Sequence, residues 1–268
     1  MNFSVLRAHR VVEGARPEEA PLPAIWLEQI TKVYGKGSEA LLALDGVSME
    51  VRRGEFVCLV GASGCGKSTL LSIIAGLERP TSGRVHLQAR PALMFQEPAL
   101  LPWLTVQRNV ELPLRLRRLG RDEREHEVDR LLKLVHLSGF ERKRPHELSG
   151  GMRQRVAMAR ALAQNSDVLL MDEPFAALDA ITRDVLHEDL TRIWEAAGIT
   201  VIFVTHNVRE AARLGDRIVL LSSRPGRVAR YWWVDIDRPR AIETPAVSAL
   251  SREITEELRE EIKSHGRL

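Results

Sequence analysis

The spacing of apolar and polar positions changes character three times along this 268-residue chain. From Trp26 the text is strand-like: "IWLEQITKVY", then "LLALDGVSMEV", then the nearly unbroken apolar run "EFVCLVG". A glycine-rich loop follows. "KSTLLSIIAGL" then reads as a helix ending at Gly76, and "TSGRVHL" and "ALMFQ" as short strands between turn residues. From Val106 to Gln164 the apolar positions move to helical spacing, with Val128, Leu131, Leu132 and Val135 on one face and Arg and Glu opposite. Breaks are expected at Leu119-Gly120, Gly139 and Pro145. From Val168 strands and helices alternate: "VLLMD", a helix from about Ile181 to Ala197, "TVIFVT", a helix from about Val208, "RIVLL", and a late strand in "RVARYWWVDI". That alternation predicts a mostly parallel sheet covered by helices. In the tail, Leu250, Ile254, Leu258 and Ile262 recur at every fourth position, the stripe of a surface helix.

Composition adds limits. The chain is 44% hydrophobic and 28% charged, ordinary for a globular domain, and its formal charge of +3 lacks the dense basic stripe of a nucleic-acid binder. The basic cluster "ERKRP" with Arg153 and Arg155 carries no interleaved aromatics, which fits a solvated or phosphate-steering role. The apolar runs fall short of the about 18 residues that cross a bilayer, so a membrane role would need another chain. The N-terminal stretch has no uninterrupted apolar segment and reads as a flexible leader. Cys58 falls in a strand and Cys65 in the glycine loop, which argues against a disulfide and fits a cytosolic setting.

The chemistry concentrates in a few places. Gly61-Ala62-Ser63-Gly64-Cys65-Gly66-Lys67-Ser68, followed by Thr69, matches G-x-x-x-x-G-K-[ST] between an apolar strand and a helix. Its glycines free backbone N–H groups for phosphate, Lys67 offers a charge to the β and γ groups, and Ser68 a hydroxyl to Mg²⁺. "VLLMDEP" ends a buried strand with Asp172, suited to Mg²⁺, and Glu173, suited to polarise a water. His206 follows "TVIFVT" and Gln96 ends "ALMF" in the same way. Ligands of open parallel sheets sit off strand carboxyl ends, so Lys67, Asp172, Glu173 and His206 should share one crevice. The Gln96 amide could reach Mg²⁺ or the water, and Tyr34 could stack on a base. A second phosphate-binding turn, Ser149, Gly150 and Gly151 in "LSGGMRQR", opens another helix with free N–H groups.

Together these motifs, from about Trp26 to Ile236, resemble the nucleotide-binding subunit of ATP-binding cassette (ABC) transporters. The order is that of the family: aromatic residue Tyr34, Walker A at 61–68, Q-loop Gln96, signature at 148–152, Walker B at 168–172, catalytic acid Glu173, D-loop Ala177-Leu178-Asp179, and H-loop His206. Met152 stands where the family commonly has glutamine, beyond the groups that meet phosphate. The resemblance implies an α/β P-loop NTPase core with a mostly parallel sheet, an antiparallel β subdomain and an inserted α-helical subdomain. It implies an ATPase domain over 25–236 with its helical part at about 97–164, between the leader over 1–24 and the linker and surface helix over 237–268 that composition and periodicity predict. It implies binding of ATP and Mg²⁺. Glu173, His206 and Gln96 would be catalytic, Ser68, Gln96 and Asp172 would hold the metal, and Asp179 would join the nucleotide site.

In the family two copies sandwich ATP between the Walker A of one and the signature of the other, which makes "LSGGM" half a site. "FQEPALLPWLTVQRNVELPL", "RPGRV" and "VDIDRPR" are similar to importers of the nitrate, alkanesulfonate and taurine type. The expected partners are a second copy, membrane permease subunits and, indirectly, a solute-binding protein, with no nucleic acid, at the cytoplasmic face of the plasma membrane. Leu100, Leu101, Pro102, Trp103 and Leu104 either form a groove for the permease or pack on their own domain. An exporter ATPase and an ABC protein acting on nucleic acid or the ribosome stand as alternatives.

Overall fold

The computed structural model describes residues 22–88 and 90–265, so the expected leader falls almost wholly outside the described residues. Two sheets share the core. β1 (Ile25–Tyr34), β2 (Leu41–Val51) and β4 (Ser82–Leu87) form an antiparallel sheet in the order β2-β1-β4. The larger sheet has the order β5-β6-β7-β3-β8-β9, from β5 (Ala92–Met94), β6 (Val168–Asp172), β7 (Thr200–Val204), β3 (Phe56–Val60), β8 (Arg217–Leu221) and β9 (Val228–Trp233). All its pairs are parallel except β8 with β9. The α-helices among the described residues are α1 (Lys67–Ile74), α2 (Val106–Leu116), α3 (Arg121–Leu134), α4 (Gly150–Leu162), α5 (Ala180–Ala197), α6 (Val208–Leu214) and α7 (Pro245–His265).

The apolar runs sit where their lack of alternation requires, buried on both faces. Phe56, Cys58 and Val60 of β3 turn towards the helices α2 to α6, whereas Val57 and Leu59 turn towards α1 and the antiparallel sheet. β6 and β7 divide in the same way: Met171 and Phe203 lie in the first cluster, Leu170 and Ile202 in the second. The fold class read from the sequence is the fold observed. β2 begins and ends where its pattern does. In the tail, Ile254 is buried and Leu250 and Leu258 pack half-buried on the core, but Ile262 is exposed because the stripe runs past the body of the domain. Among the described residues, no helix is long and apolar enough to cross a membrane. Both cysteines are free and buried.

Candidate functional site

The phosphate loop leaves β3, a central strand of the large sheet, and turns into α1. Its glycines are there for space. A Cβ on Gly61 would lie 2.7 Å from Cys65 Sγ and 2.8 Å from the Leu221 carbonyl oxygen. One on Gly66, at φ +103°, would lie 2.6 Å from Leu44. The turn is therefore closed by its own neighbours, with Gly66 capping α1 in a left-handed conformation that other residues avoid. Lys67 is buried, and its Nζ donates to the carbonyl oxygens of Gly61 (3.0 Å) and Ala62 (2.9 Å), which curls the ammonium over the loop. Cys65 Sγ lies 3.7 Å from that nitrogen. Arg224 reaches in from beyond β8 and donates to the Gly64 carbonyl at 3.0 Å. Tyr34 stands at the far side, its hydroxyl donating to Glu78 (2.6 Å) and 3.4 Å from Thr69 Oγ1, with Lys32 over its ring.

The acids come from β6. Asp172 ends that strand opposite Val204 of β7 and hydrogen-bonds the Ser68 hydroxyl. Burial pushes its carboxyl above the usual range, with the Glu173 charge adding to this; Ser68 and Lys67 pull it back. A half-buried carboxylate short of positive charge, beside a serine hydroxyl, suits a divalent cation. Ser68 and Asp172 therefore fit the role of metal ligands. Gln96 does not join them here: its side chain is exposed and makes no hydrogen bond among the described residues, while its carbonyl accepts from Gln154 Nε2 at 2.9 Å.

Glu173 adopts φ +44°, left-handed and costly for a residue with a side chain, on the order of 1–3 kcal/mol. Its N–H is held by the Val204 carbonyl at 3.0 Å. The twist turns the carboxylate towards the end of β7, where Glu173 Oε2 lies 2.8 Å from His206 Nδ1. With Glu173 ionised, that contact selects the tautomer in which Nδ1 carries the proton.

The 148–152 turn is built separately. Ser149 caps α4, its Oγ accepting from Met152 N at 3.3 Å, so Gly150 and Gly151 form the first helical turn rather than a loop before it. Gly151 is buried: a Cβ there would lie 2.5 Å from Thr182 Cγ2 of α5, and one on Gly150 would lie 3.3 Å from Leu178 Cδ2. The turn thus rests on the segment 177–182, whose Asp179 caps α5 by accepting from Thr182 N at 3.0 Å. That cap lowers the Asp179 carboxyl. No hydrogen bond among the described residues joins the 61–69 loop to the 148–152 turn.

Two sets of residues escaped the sequence reading. Gln154 and Arg160 of α4 hold the segment after β5: Arg160 donates to the carbonyls of Pro98 (2.8 Å) and Ala99 (2.7 Å) beside the Gln154–Gln96 contact. Arg183 of α5 donates to the carbonyls of Phe175 (3.2 Å) and Leu178 (2.7 Å) and lies 3.4 Å from Glu210. Glu210 in turn accepts from Thr205 Oγ1 at 2.6 Å, and Thr205 Oγ1 accepts from Asn207 N at 2.9 Å. One guanidinium therefore ties the segment after Glu173 to the turn that carries His206. Trp103 is 69% exposed, so it does not pack into its own domain.

Residues 44–176 match the family described as ABC transporter. The taurine import ATP-binding protein of Burkholderia pseudomallei is 47% identical over 232 residues, covering 84% of this chain and 89% of that protein. The aliphatic sulfonates import ATP-binding protein of Bacillus licheniformis is 42% identical, covering 84% and 91%. Among solved structures, the dimeric post-hydrolysis state of the ATP-binding cassette MJ0796 bound to ADP and Pi superposes with a TM-score of 0.71 at 36% identity, covering 80% of this chain and all of that one.

Proposed function

We propose that this chain, which belongs to the ABC transporter family, is the ATP-hydrolysing subunit of an importer for a small anion such as nitrate, a sulfonate or taurine. It acts as a pair of copies at the cytoplasmic face of the membrane, on separate permease subunits served by a solute-binding protein. The substrate class is supported by the relatives named for taurine and sulfonate import. The hydrolytic role is supported by one observation above the others: the 2.8 Å contact of Glu173 with His206, at the ends of adjacent strands in the sheet that also carries the phosphate loop.

The residues divide the work. Lys67 and the N–H groups of 61–69 take the phosphates, and Tyr34 the base. Ser68 and Asp172 would hold Mg²⁺, which supplies charge neutralisation at the phosphate oxygens. Gln96 would reach the metal or the water from the segment held by α4. Glu173 accepts a proton from water as its oxygen bonds to the γ-phosphorus and the bond to the β–γ bridging oxygen breaks. His206 orients the Glu173 carboxylate. Ser149, Gly150, Gly151 and Asp179 serve the nucleotide held by the partner copy, so closing the pair requires the γ-phosphate and losing it lets the pair open.

The test is uptake. A strain lacking this chain should lose uptake of one labelled anion among nitrate, taurine and an alkanesulfonate. Wild-type protein should restore it and Lys67→Ala should not. Normal uptake of all three without the chain would overturn the substrate class.

A further inference from the structure

Away from the nucleotide site, α6 and α7 leave a cleft of about 380 Å³ between them. Three arginines line it: Arg209 from α6, and Arg252 and Arg259 two turns apart on α7. None of the three has a carboxylate within ion-pair distance among the described residues, although Glu256 lies in the same cleft. Other arginines near these two helices do have carboxylate partners. Arg213 pairs with Asp184 and Glu188, Arg230 with Glu253 and Glu257, and Arg238 with Asp216. α7 itself sorts its charges. Glu253 and Glu257 face Arg230, and Glu261 accepts from Ser223 N, whereas the arginines gather on the α6 side.

Hydroxyls accompany them. Ser251 is 7% exposed, lines the cleft, and its Oγ has no hydrogen-bond partner. A buried hydroxyl without a partner costs about 1–3 kcal/mol, so a group able to accept from it should stabilise the site. Thr255 also lines the cleft, its hydroxyl donating to the Ser251 carbonyl at 2.6 Å. Three guanidiniums, a single acid and an unsatisfied hydroxyl on two facing helices form a setting for a compact anion with several acceptor oxygens.

We propose that the cleft between α6 and α7 binds a small oxyanion of the sulfate, sulfonate or phosphate class, held by Arg209, Arg252, Arg259 and the Ser251 hydroxyl. This site lies outside the nucleotide machinery and does not depend on the transported solute. It is not remote from that machinery, because α6 follows His206 directly through its Asn207 cap. An anion bridging Arg209 to Arg252 and Arg259 would clamp α7 onto the helix that continues from the H-loop.

Calorimetric titration tests it. Sulfate, phosphate and methanesulfonate are titrated separately into full-length protein saturated with Mg·ADP, with ionic strength held constant by chloride. ADP fills the α- and β-phosphate positions of the loop, and Lys67→Ala reports any anion that enters the remaining γ position. At least one of the anions should saturate at about one equivalent per chain. Arg252→Gln and Arg259→Gln should each weaken it about tenfold, Ser251→Ala by a smaller factor, and Lys67→Ala not at all. The arginine variants should melt like wild type in chloride, because the exposed side chains they replace hold no ion pair among the described residues. Absence of saturable binding for all three anions would overturn the proposal. So would equal binding by the arginine variants, or loss of the signal in Lys67→Ala, which would assign it to the phosphate loop.

Discussion

His206 Nδ1 lies 2.8 Å from Glu173 Oε2, and the two residues stand just past the ends of neighbouring parallel strands, β6 and β7. The pairing register makes this contact: Asp172 is opposite Val204, so the residues that follow emerge side by side. Glu173→Gln keeps the shape but cannot take a proton from water. Turnover should fall at least about 100-fold while ATP binding persists, and the variant should elute as an ATP-bound dimer in size exclusion with Mg²⁺. Hydrolysis at the wild-type rate would remove Glu173 from the role of base.

Arg183 offers a way to separate positioning from chemistry. It lies outside the 61–69 loop, holds the carbonyls of Phe175 and Leu178 and faces Glu210. Arg183→Gln should lower kcat about tenfold while changing the nucleotide dissociation constant little, since the phosphate loop is untouched. Arg183→Lys, which keeps one donor and the charge, should recover part of the loss. Equal losses in kcat and in nucleotide affinity would indicate general disruption instead.

Sequence and structure agree where chemistry is local and diverge where it is not. The phosphate loop is legible because strand, glycines, Lys67 and Ser68 are consecutive, and β2 because its pattern is uninterrupted. Glu173 and His206 are legible as strand-end residues, because a parallel sheet gathers such ends on one side. The Arg183–Glu210 link is not legible. It joins two consecutive helices across the intervening strand β7, and an arginine in a helix full of charges carries no local mark of being a brace. The same holds for Gln154, which reads as one more polar residue after a glycine turn yet is buried against the Gln96 carbonyl. Ile262 errs in the other direction: its helical spacing is right, but periodicity does not say where the core ends.

The contact between Gly151 and Thr182 predicts a specific rescue. An added methyl at 151 would meet Thr182 Cγ2 at 2.5 Å, so Gly151→Ala should destabilise the fold by about 1–3 kcal/mol. Thr182→Ser removes the obstructing methyl. The double variant should recover most of the loss, with a coupling of at least about 0.5 kcal/mol in denaturant titrations. Additive losses would mean that α4 and α5 do not meet there.

His187 sets an acid limit on stability. It is buried beside Phe175, and both of its ring nitrogens lack hydrogen-bond partners. Burial, reinforced by Arg213 and Arg183, pushes its pKa from the usual 6.5 down to about 3. Glu210 lies 3.8 Å away, but burial raises its carboxyl and weakens its help. The unfolded chain therefore binds a proton that the folded chain refuses. Stability should fall as pH drops from about 6.5 towards 3, and His187→Phe should flatten that slope in urea titrations taken across the range. An unchanged slope would show that His187 stays neutral in both states or charged in both.

The two phosphate turns allow a complementation experiment. Lys67→Ala disables the 61–69 loop. Gly150→Asp puts a carboxylate on the 148–152 turn; its Cβ would lie 3.3 Å from the Leu178 side chain, which must yield by a few tenths of an ångström. If both turns served one site within a chain, a mixed dimer would hold two damaged sites. If each site draws one turn from each copy, the defects coincide: the altered loop faces the altered turn, and the other site joins two intact halves. Neither homodimer has such a site. Nucleotide trapped per purified mixed dimer is the readout, because turnover could require both sites together. About one nucleotide per mixed dimer, against none in either homodimer, is the expected result. None in a mixed dimer shown to assemble would mean that Ser149, Gly150 and Gly151 do not reach the partner's nucleotide, and the separation of the two turns within one chain would then need another explanation.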